Sequence, residues 1–299
     1  MQVDPFYGMN LSSALDQTQA TQQQLSEELS SGLRVTSIGE DPVAAAQNVQ
    51  LLNQIQEDDS FTQTSSLTQG MLQVTDSALG SVVGQLNQAL SLATEANNGT
   101  MNASDLKSIS SEIAGVLNEV LSLANTTYQG QYVFGGSQSG TTPFTLDSTT
   151  TPATVTYNGD SDVNTLVTPN GQSIQLNMPG NQIFTSATAN VLGTLNNLVA
   201  DYASGTAGNG IADTAALNSA LNFVGQQRVT IDNSITRLGD ASGVTTEEGT
   251  QLTTVQTDLM QADVPSVSTQ LSLVLSQQSA LISVISALSQ GSLFDKLEP

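Results

Sequence analysis

A mainly α fold, built as long antiparallel coiled-coil-like helices formed by both chain ends with a small β-rich head inserted between them, follows from three observations. Apolar residues recur at alternating steps of three and four through both halves of the 299-residue chain. Between Gln129 and Phe184 that period gives way to short alternating runs divided by turn residues. Only 11% of residues are charged, against roughly 25% in ordinary soluble domains, so the polar faces are mostly Ser, Thr, Gln and Asn.

The helical stripes run in order along the chain. The first is Leu11, Leu15, Thr18, Gln22, Leu25, Leu29, and a second follows as Leu67, Met71, Val74, Ala78, Val82. Leu106, Ile109, Ile113, Val116, Val120 and Leu123 form a third. In the C-terminal half come Leu217, Leu221, Val224, Arg228, Ile231, Ile235, Leu238, then Leu252, Val255, Leu259, and last Val267, Leu271, Val274, Gln278, Leu281, Ile285, Leu288. Each spacing predicts a long coiled-coil-like helix.

Boundary residues have mechanical reasons. Asp41 before Pro42 supplies an N-cap oxygen and a preset first helical residue. Asn97-Asn98-Gly99 closes one helix, Gly205, Gly208 and Gly210 before Asp213 separate two more, and Pro265 restarts the last. In the middle, Tyr132–Phe134, Phe144–Leu146, Thr154–Tyr157, Leu166–Thr168 and Ser173–Leu176 read as strands. Asn158-Gly159, Pro169-Asn170-Gly171 and Pro179-Gly180 supply the turns between them. The expected organisation is therefore 1–45 with 265–299 as a terminal coiled-coil assembly domain, 46–128 with 186–264 as a helical stalk, and 129–185 as the head.

Composition narrows the chemistry. The chain has no Cys, His or Trp, five basic residues and 27 acidic ones, for a net charge of -22. Ser-His-Asp and Cys-His nucleophile systems and ordinary structural zinc are excluded. Arg34, Lys107, Arg228, Arg237 and Lys296 are scattered, leaving no footprint for nucleic acid or anionic lipid. Leu271–Leu288 is interrupted by seven Ser and Gln residues and reads as too polar for a membrane span, and Met1–Asn10 lacks the basic start and apolar core of a secretory signal. Asn158–Asn164 superficially suggests a calcium loop, yet counting from Asp160 puts Thr165 at the glycine position and Gly171 at the bidentate-acid position, so an Asx-stabilised turn is the reading. Nothing places Glu247-Glu248 across a cleft as a glycosidase pair. No catalytic residue, cofactor or metal is expected.

The terminal stripes hold too few apolar residues to offset the entropy of ordering both helices as an isolated pair. Leu273, Leu275, Ile282 and Val284 lie off the main seam of the last stripe and leave that helix apolar on several sides. These ends are expected to order among neighbouring chains. Arg34 has two readings, as a partner for an acid on a neighbouring subunit or as a solvated residue at a helix end. The first is favoured because a lone cation in so acidic a chain has many possible partners.

Ser30-Ser31-Gly32-Leu33-Arg34-Val35 followed by Glu40-Asp41-Pro42-Val43-Ala44-Ala45 resembles the N-terminal signature of the flagellins and flagellar hook-associated proteins. Glu40 stands where that family usually has Asp, and Pro42 where flagellins themselves tend to have Ala. Asp258–Asp263, Thr269-Gln270-Leu271, Gln277-Gln278 and Ser289–Leu297 resemble its C-terminal helix and Ser-Leu-Phe finish, although Pro265 departs from the pattern. Pro42 and Tyr132-Val133-Phe134-Gly135-Gly136 favour the hook-associated branch over a flagellin filament subunit.

The resemblance implies a structural subunit, with no reaction and no cofactor. Copies would form a ring between hook-associated protein 1 and flagellin, exported through the flagellar type III apparatus to the cell exterior with a cytosolic chaperone on the C-terminal helix. Leu11, Leu15, Leu25, Leu29, Leu271, Leu281, Ile285 and Leu288 are then the candidate assembly residues, with Arg34 and Asp41 at the junction to the stalk. A surface adhesin with a helical stalk is the reading from another class, and it lacks any sorting signal, lipidation cysteine or hydrophobic anchor.

Overall fold

The computed structural model describes residues 5–150, 152–208 and 210–294, and side chains between Met9 and Ala287 within those ranges. Its elements are α1 (Pro5–Ser31), α2 (Pro42–Ala96), α3 (Ala103–Ala124), β1 (Thr127–Tyr128), β2 (Gln131–Tyr132), β3 (Phe144–Asp147), β4 (Thr154–Tyr157), β5 (Thr165–Val167), β6 (Ser173–Gln175), α4 (Gly180–Ile183), α5 (Val191–Ala203), α6 (Gly210–Met260) and α7 (Val264–Phe294). Long helices with small antiparallel strand pairs are the class the periodicity predicts.

Two compact units divide the chain, Met1–Glu57 with Glu248–Pro299, and Asp58–Glu247. The core of the second is a heptad seam. Along α2 from Phe61 the buried seam runs Phe61, Ser65, Thr68, Leu72, Thr75, Leu79, Val82, Leu86, Ala89, Ala93 and Ala96, an unbroken alternation of four and three, with Ala78 buried beside Leu79. The predicted stripe Leu67, Met71, Val74, Ala78, Val82 runs one residue off this register until it joins the seam at Val82; Leu67 is exposed, while Ala78 is buried. Threonines 68 and 75 carry the true seam while reading as polar. The Thr75 hydroxyl donates to the Met71 carbonyl at 2.8 Å, so its burial leaves no unmet hydrogen bond.

Leu106, Ile109, Ile113, Val116 and Val120 of α3, Leu192, Leu195, Leu198 and Tyr202 of α5, and Leu217, Val224, Ile231 and Leu238 of α6 join the same core. Asn102 caps α3 by accepting from the amides of Ser104 and Asp105 at 2.8 and 3.1 Å, and Asp105 accepts from the Asn102 amide at 3.3 Å, a reciprocal capping box. Arg228 of α6 forks onto Asp76 of α2 at 2.8 and 2.9 Å, with its guanidinium over Gly80. Although Gly239, Gly243 and Gly249 lie within it, α6 runs unbroken, so its two predicted stripes are one helix.

The β region is three separate hairpins, β1–β2, β3–β4 and β5–β6. The first was not anticipated over Thr127–Tyr128. Its turn, Gln129 and Gly130, has positive φ at both positions (51° and 81°), the geometry that matches strand twist, although Gln is an unusual first residue for it. Isolated hairpins are marginal, and these are held by anchors. The Asn125 amide donates to the Phe144 carbonyl and accepts from the Phe144 amide, both at 2.9 Å, which fixes β3 to the end of α3. Phe134, Phe144 and Phe184 form an aromatic cluster that belongs to the helical core. Gly136 has φ of 69° and lies against Asp160, leaving no room for a side chain. The Asp160 carboxylate accepts from the amides of Ser137 and Asp162 and bonds the Ser137 hydroxyl, the Asx-type turn expected for this segment.

Candidate functional site

The first unit carries every candidate assembly residue. Gly32, at φ of 70°, ends α1 by donating its amide to the Glu28 carbonyl at 2.9 Å. The chain then clips to the link between α6 and α7. Leu33 pairs with Gln261 in an antiparallel bridge, the Arg34 amide donates to the Met260 carbonyl at 2.7 Å, and the Ala262 amide donates to the Gly32 carbonyl at 2.9 Å. Because α1 runs into this clip and α7 runs out of it, the two helices pack antiparallel.

Their shared core is small: Leu25, Ala262, Val267 and Val274, with Leu271 packed on it. Leu11, Leu15, Leu281 and Ile285 are half-buried, and Leu29 is exposed. The seam position beside Leu29 is taken by Glu28, whose carboxylate accepts from the Gln24 amide at 3.1 Å. The side chain of Leu288 lies outside the described residues.

On α7, Leu273, Leu275, Ile282 and Val284 are 59%, 42%, 51% and 43% exposed. No charged residue occurs from Val264 to Phe294. Segment Val264–Ala287 is long and apolar enough, by length and composition alone, to cross a membrane, with mean hydropathy of 1.2. This corrects the expectation that the last helix is too polar. The serines stay unobtrusive because their hydroxyls turn inward: Ser272, Ser276, Ser279 and Ser283 each donate to the carbonyl four residues earlier at 2.8–3.0 Å.

Arg34 has its partners within its own chain. Its guanidinium donates to the Leu259 carbonyl in the last turn of α6 at 3.1 Å and to Asp41 at 3.3 Å. A cation at a helix C-terminus and an anion at a helix N-terminus both complement the helix dipoles. Asp41 caps α2 as its spacing predicts, accepting from the Ala44 amide at 3.0 Å. That bond, and then Arg34, hold its carboxyl below the usual carboxylate range. Glu40 is also held low, by the amides of Thr36 and Ser37 and by the Thr36 hydroxyl, so it closes the 36–40 turn while Asp41 caps.

The sign of the pH dependence follows. Both carboxyls have folded values below their ordinary 4.5 and 3.8, so the stability they give is complete above those values and is lost as pH falls through the folded ones. Carboxylate titration by NMR should place both midpoints below the ordinary values, with the Arg34 and Ala262 amides losing exchange protection over the same acid range. Midpoints at the ordinary values would mean that the clip does not form in solution.

Residue spacing did not reveal an apolar groove of about 330 Å³ beside this clip, lined among others by Val35, Ile38, Ala45, Val49 and Met260. Ile38 and Val49 are 75% and 58% exposed. The available signal was Ile38, a large apolar residue in a turn otherwise made of Thr, Ser, Gly and acids. Among the described residues no group of three or more metal-ligating side chains comes together.

Residues 7–139 match the family model described as the bacterial flagellin N-terminal helical region. Flagellar hook-associated protein 3 of Salmonella typhimurium is 28% identical over 187 residues, 62% of this chain and 57% of that protein. The chain thus spans a little over half the length of that relative. Phase 1 flagellin of Salmonella naestved is 31% identical over 113 residues, 38% of this chain and 22% of the flagellin. In fold, the crystal structure of hook-associated protein-3 from Legionella pneumophila superposes with a TM-score of 0.62 at 13% identity, covering 70% of this chain and 98% of that one. The sequence relatives bear out the resemblance read from the Ser30–Ala45 signature, and the structural likeness establishes the shared fold.

Proposed function

We propose that this chain, a relative of the flagellar hook-associated proteins with a flagellin-type N-terminal helical region, is the structural adaptor that joins hook to filament in the bacterial flagellum. Copies assemble into a ring through α1 and α7, with hook-associated protein 1 on one side and flagellin on the other. The carrying observation is the uncharged, apolar and largely exposed surface of α7 in a chain of net charge -22. Like-charged subunits can approach closely only where they carry no charge, and an apolar face of this extent marks an interaction surface.

Leu11, Leu15, Leu25, Leu29, Leu271, Leu281, Ile285 and Leu288 line the assembling helices in this reading, and Arg34 with Asp41 fixes their junction to the stalk. Residues 1–45 with 265–299 act as the assembly domain, 46–128 with 186–264 as the stalk and 129–185 as the head. The chain performs no reaction, and it reaches the outer flagellum through the flagellar type III apparatus, accompanied by a cytosolic chaperone on its C-terminal helix.

A filament subunit is the second reading, favoured by the flagellin match. That match covers less of this chain than the hook-associated one, 38% against 62%. Deleting the gene in its own bacterium separates the two. Intact hooks without filaments, with flagellin shed into the medium, are expected for the adaptor. Loss of the filament with no flagellin shed would instead identify the filament subunit, and normal filaments and swimming would overturn both.

A further inference from the structure

Four Asn-Gly steps occur in the sequence, at Asn98, Asn158, Asn170 and Asn209. Such a step can close on itself. The glycine amide nitrogen attacks the asparagine Cγ, the Cγ–Nδ2 bond breaks, and the proton given up by the amide leaves with the departing nitrogen as ammonia. Water then opens the succinimide at either carbonyl, giving aspartate or isoaspartate. The reaction needs a glycine N–H that is not already donated, an asparagine Nδ2 free to depart, and space around the ring.

Three of the four steps are restrained. Gly171 donates its amide to the Thr168 carbonyl at 2.8 Å in the β5–β6 turn, and Gly210 donates to the Ala207 carbonyl at 2.7 Å. The Asn158 amide is held by the Thr142 carbonyl and the Thr145 hydroxyl, both at 3.3 Å, and Gly159 is crowded by the Tyr157 hydroxyl and the Gly135 carbonyl.

Asn98-Gly99 combines an undonated glycine amide with open space, where Gly159 is crowded and Gly171 donates its amide. The Gly99 N–H has no hydrogen-bond partner among the described residues, and nothing lies within 4 Å of where a Gly99 side chain would stand. Both residues are exposed. The Asn98 Nδ2 makes no bond among the described residues, while its Oδ1 accepts from the Thr100 amide at 3.0 Å and the Thr100 hydroxyl at 2.6 Å. Two donors on that oxygen draw electron density from Cγ and make it the better electrophile. We propose that Asn98-Gly99, in the α2–α3 turn, is an intrinsic deamidation site that adds a negative charge to the folded protein.

The product has a physical consequence. The new carboxylate stands just past the C-terminus of α2, where an anion opposes the helix dipole, and close in sequence to Glu95. The Asn98→Asp variant should therefore melt at a lower temperature than the parent.

The test is incubation of the full-length folded protein in mildly alkaline buffer, followed by peptide mapping with fragmentation that distinguishes isoaspartate. Asn98 should convert about tenfold faster than Asn158, Asn170 or Asn209, the factor expected where a hydrogen bond must first break. In urea the four rates should converge, and Asn98→Gln should remove the leading product. Any other step leading in the folded protein, or Asn98 converting no faster than the rest, overturns the proposal.

Discussion

Placing aspartate at both Leu273 and Ile282 should abolish assembly while leaving the unit Asp58–Glu247 folded as before. Both side chains are more than half exposed, so in the isolated chain the substitutions remove little packing. In an assembly that buries α7 each loses about 2 kcal/mol of apolar transfer, together roughly a thousandfold in the association constant. The carboxylates add a further penalty, because a charge buried without a partner is costly. Sedimentation of the purified protein should show monomer at concentrations where the parent associates, and cells carrying the variant should bear hooks without filaments. The Leu273→Met, Ile282→Leu pair keeps volume and apolarity and should assemble. Parental association and swimming by the aspartate variant would remove α7 as the interface.

The same reasoning sets an exchange pattern. Leu25, Ala262, Val267 and Val274 are a small core for two helices of 27 and 31 residues. Amides of α1 and α7 should therefore exchange quickly in dilute monomer and become protected on association. Strong protection in the monomer at both Leu11–Leu29 and Leu271–Ile285 would mean that the pair is stable alone.

Helix ends could be read directly from residue chemistry, because Asp41-Pro42 and Asn97-Asn98-Gly99 act through local backbone geometry. The seam of α2 could not be read from apolar residues alone. Four and three still alternate there, but Ser65, Thr68 and Thr75 occupy seam positions, and an apolar-only reading locks onto Leu67, Met71 and Val74 one residue away. Likewise Glu28, not Leu29, is the buried seam residue of α1, its carboxylate tied to Gln24 one turn earlier. Of the candidate site, the Asp41 cap was readable because the amide it accepts from, that of Ala44, lies three residues on. The Arg34 bond to the Leu259 carbonyl joins residues 225 apart and follows only from the clip between Leu33 and Gln261. The β1–β2 hairpin escaped because Gln129 stands where such a turn usually takes Asn, Asp or Gly.

Phe184→Ala should have the largest effect on stability of any single change in the Asp58–Glu247 unit. The ring is fully buried, edge-on to Phe134 at 5.1 Å and 89° and to Phe144 at 5.4 Å and 78°. Truncating such a residue costs about 3–5 kcal/mol, more where the surroundings cannot collapse into the cavity. Here they are pinned. Phe144 is held by both Asn125 bonds, and Gly180 donates to the Phe134 carbonyl at 2.8 Å. The Leu192 amide donates to the carbonyl of Phe184 itself at 3.1 Å. Urea unfolding followed by tyrosine fluorescence suits this unit, since four of the five tyrosines lie in it and the chain has no Trp. The midpoint should fall with little change in slope. Phe184→Leu should cost about half as much or less, because most of the volume is kept. Val167→Ala, at a 60% exposed position on β5, should stay within about 0.5 kcal/mol of the parent. A Phe184→Ala variant within about 1 kcal/mol of the parent would mean that the hairpins are held by their backbone anchors rather than by the aromatic cluster, since edge-on ring pairs alone contribute about that much.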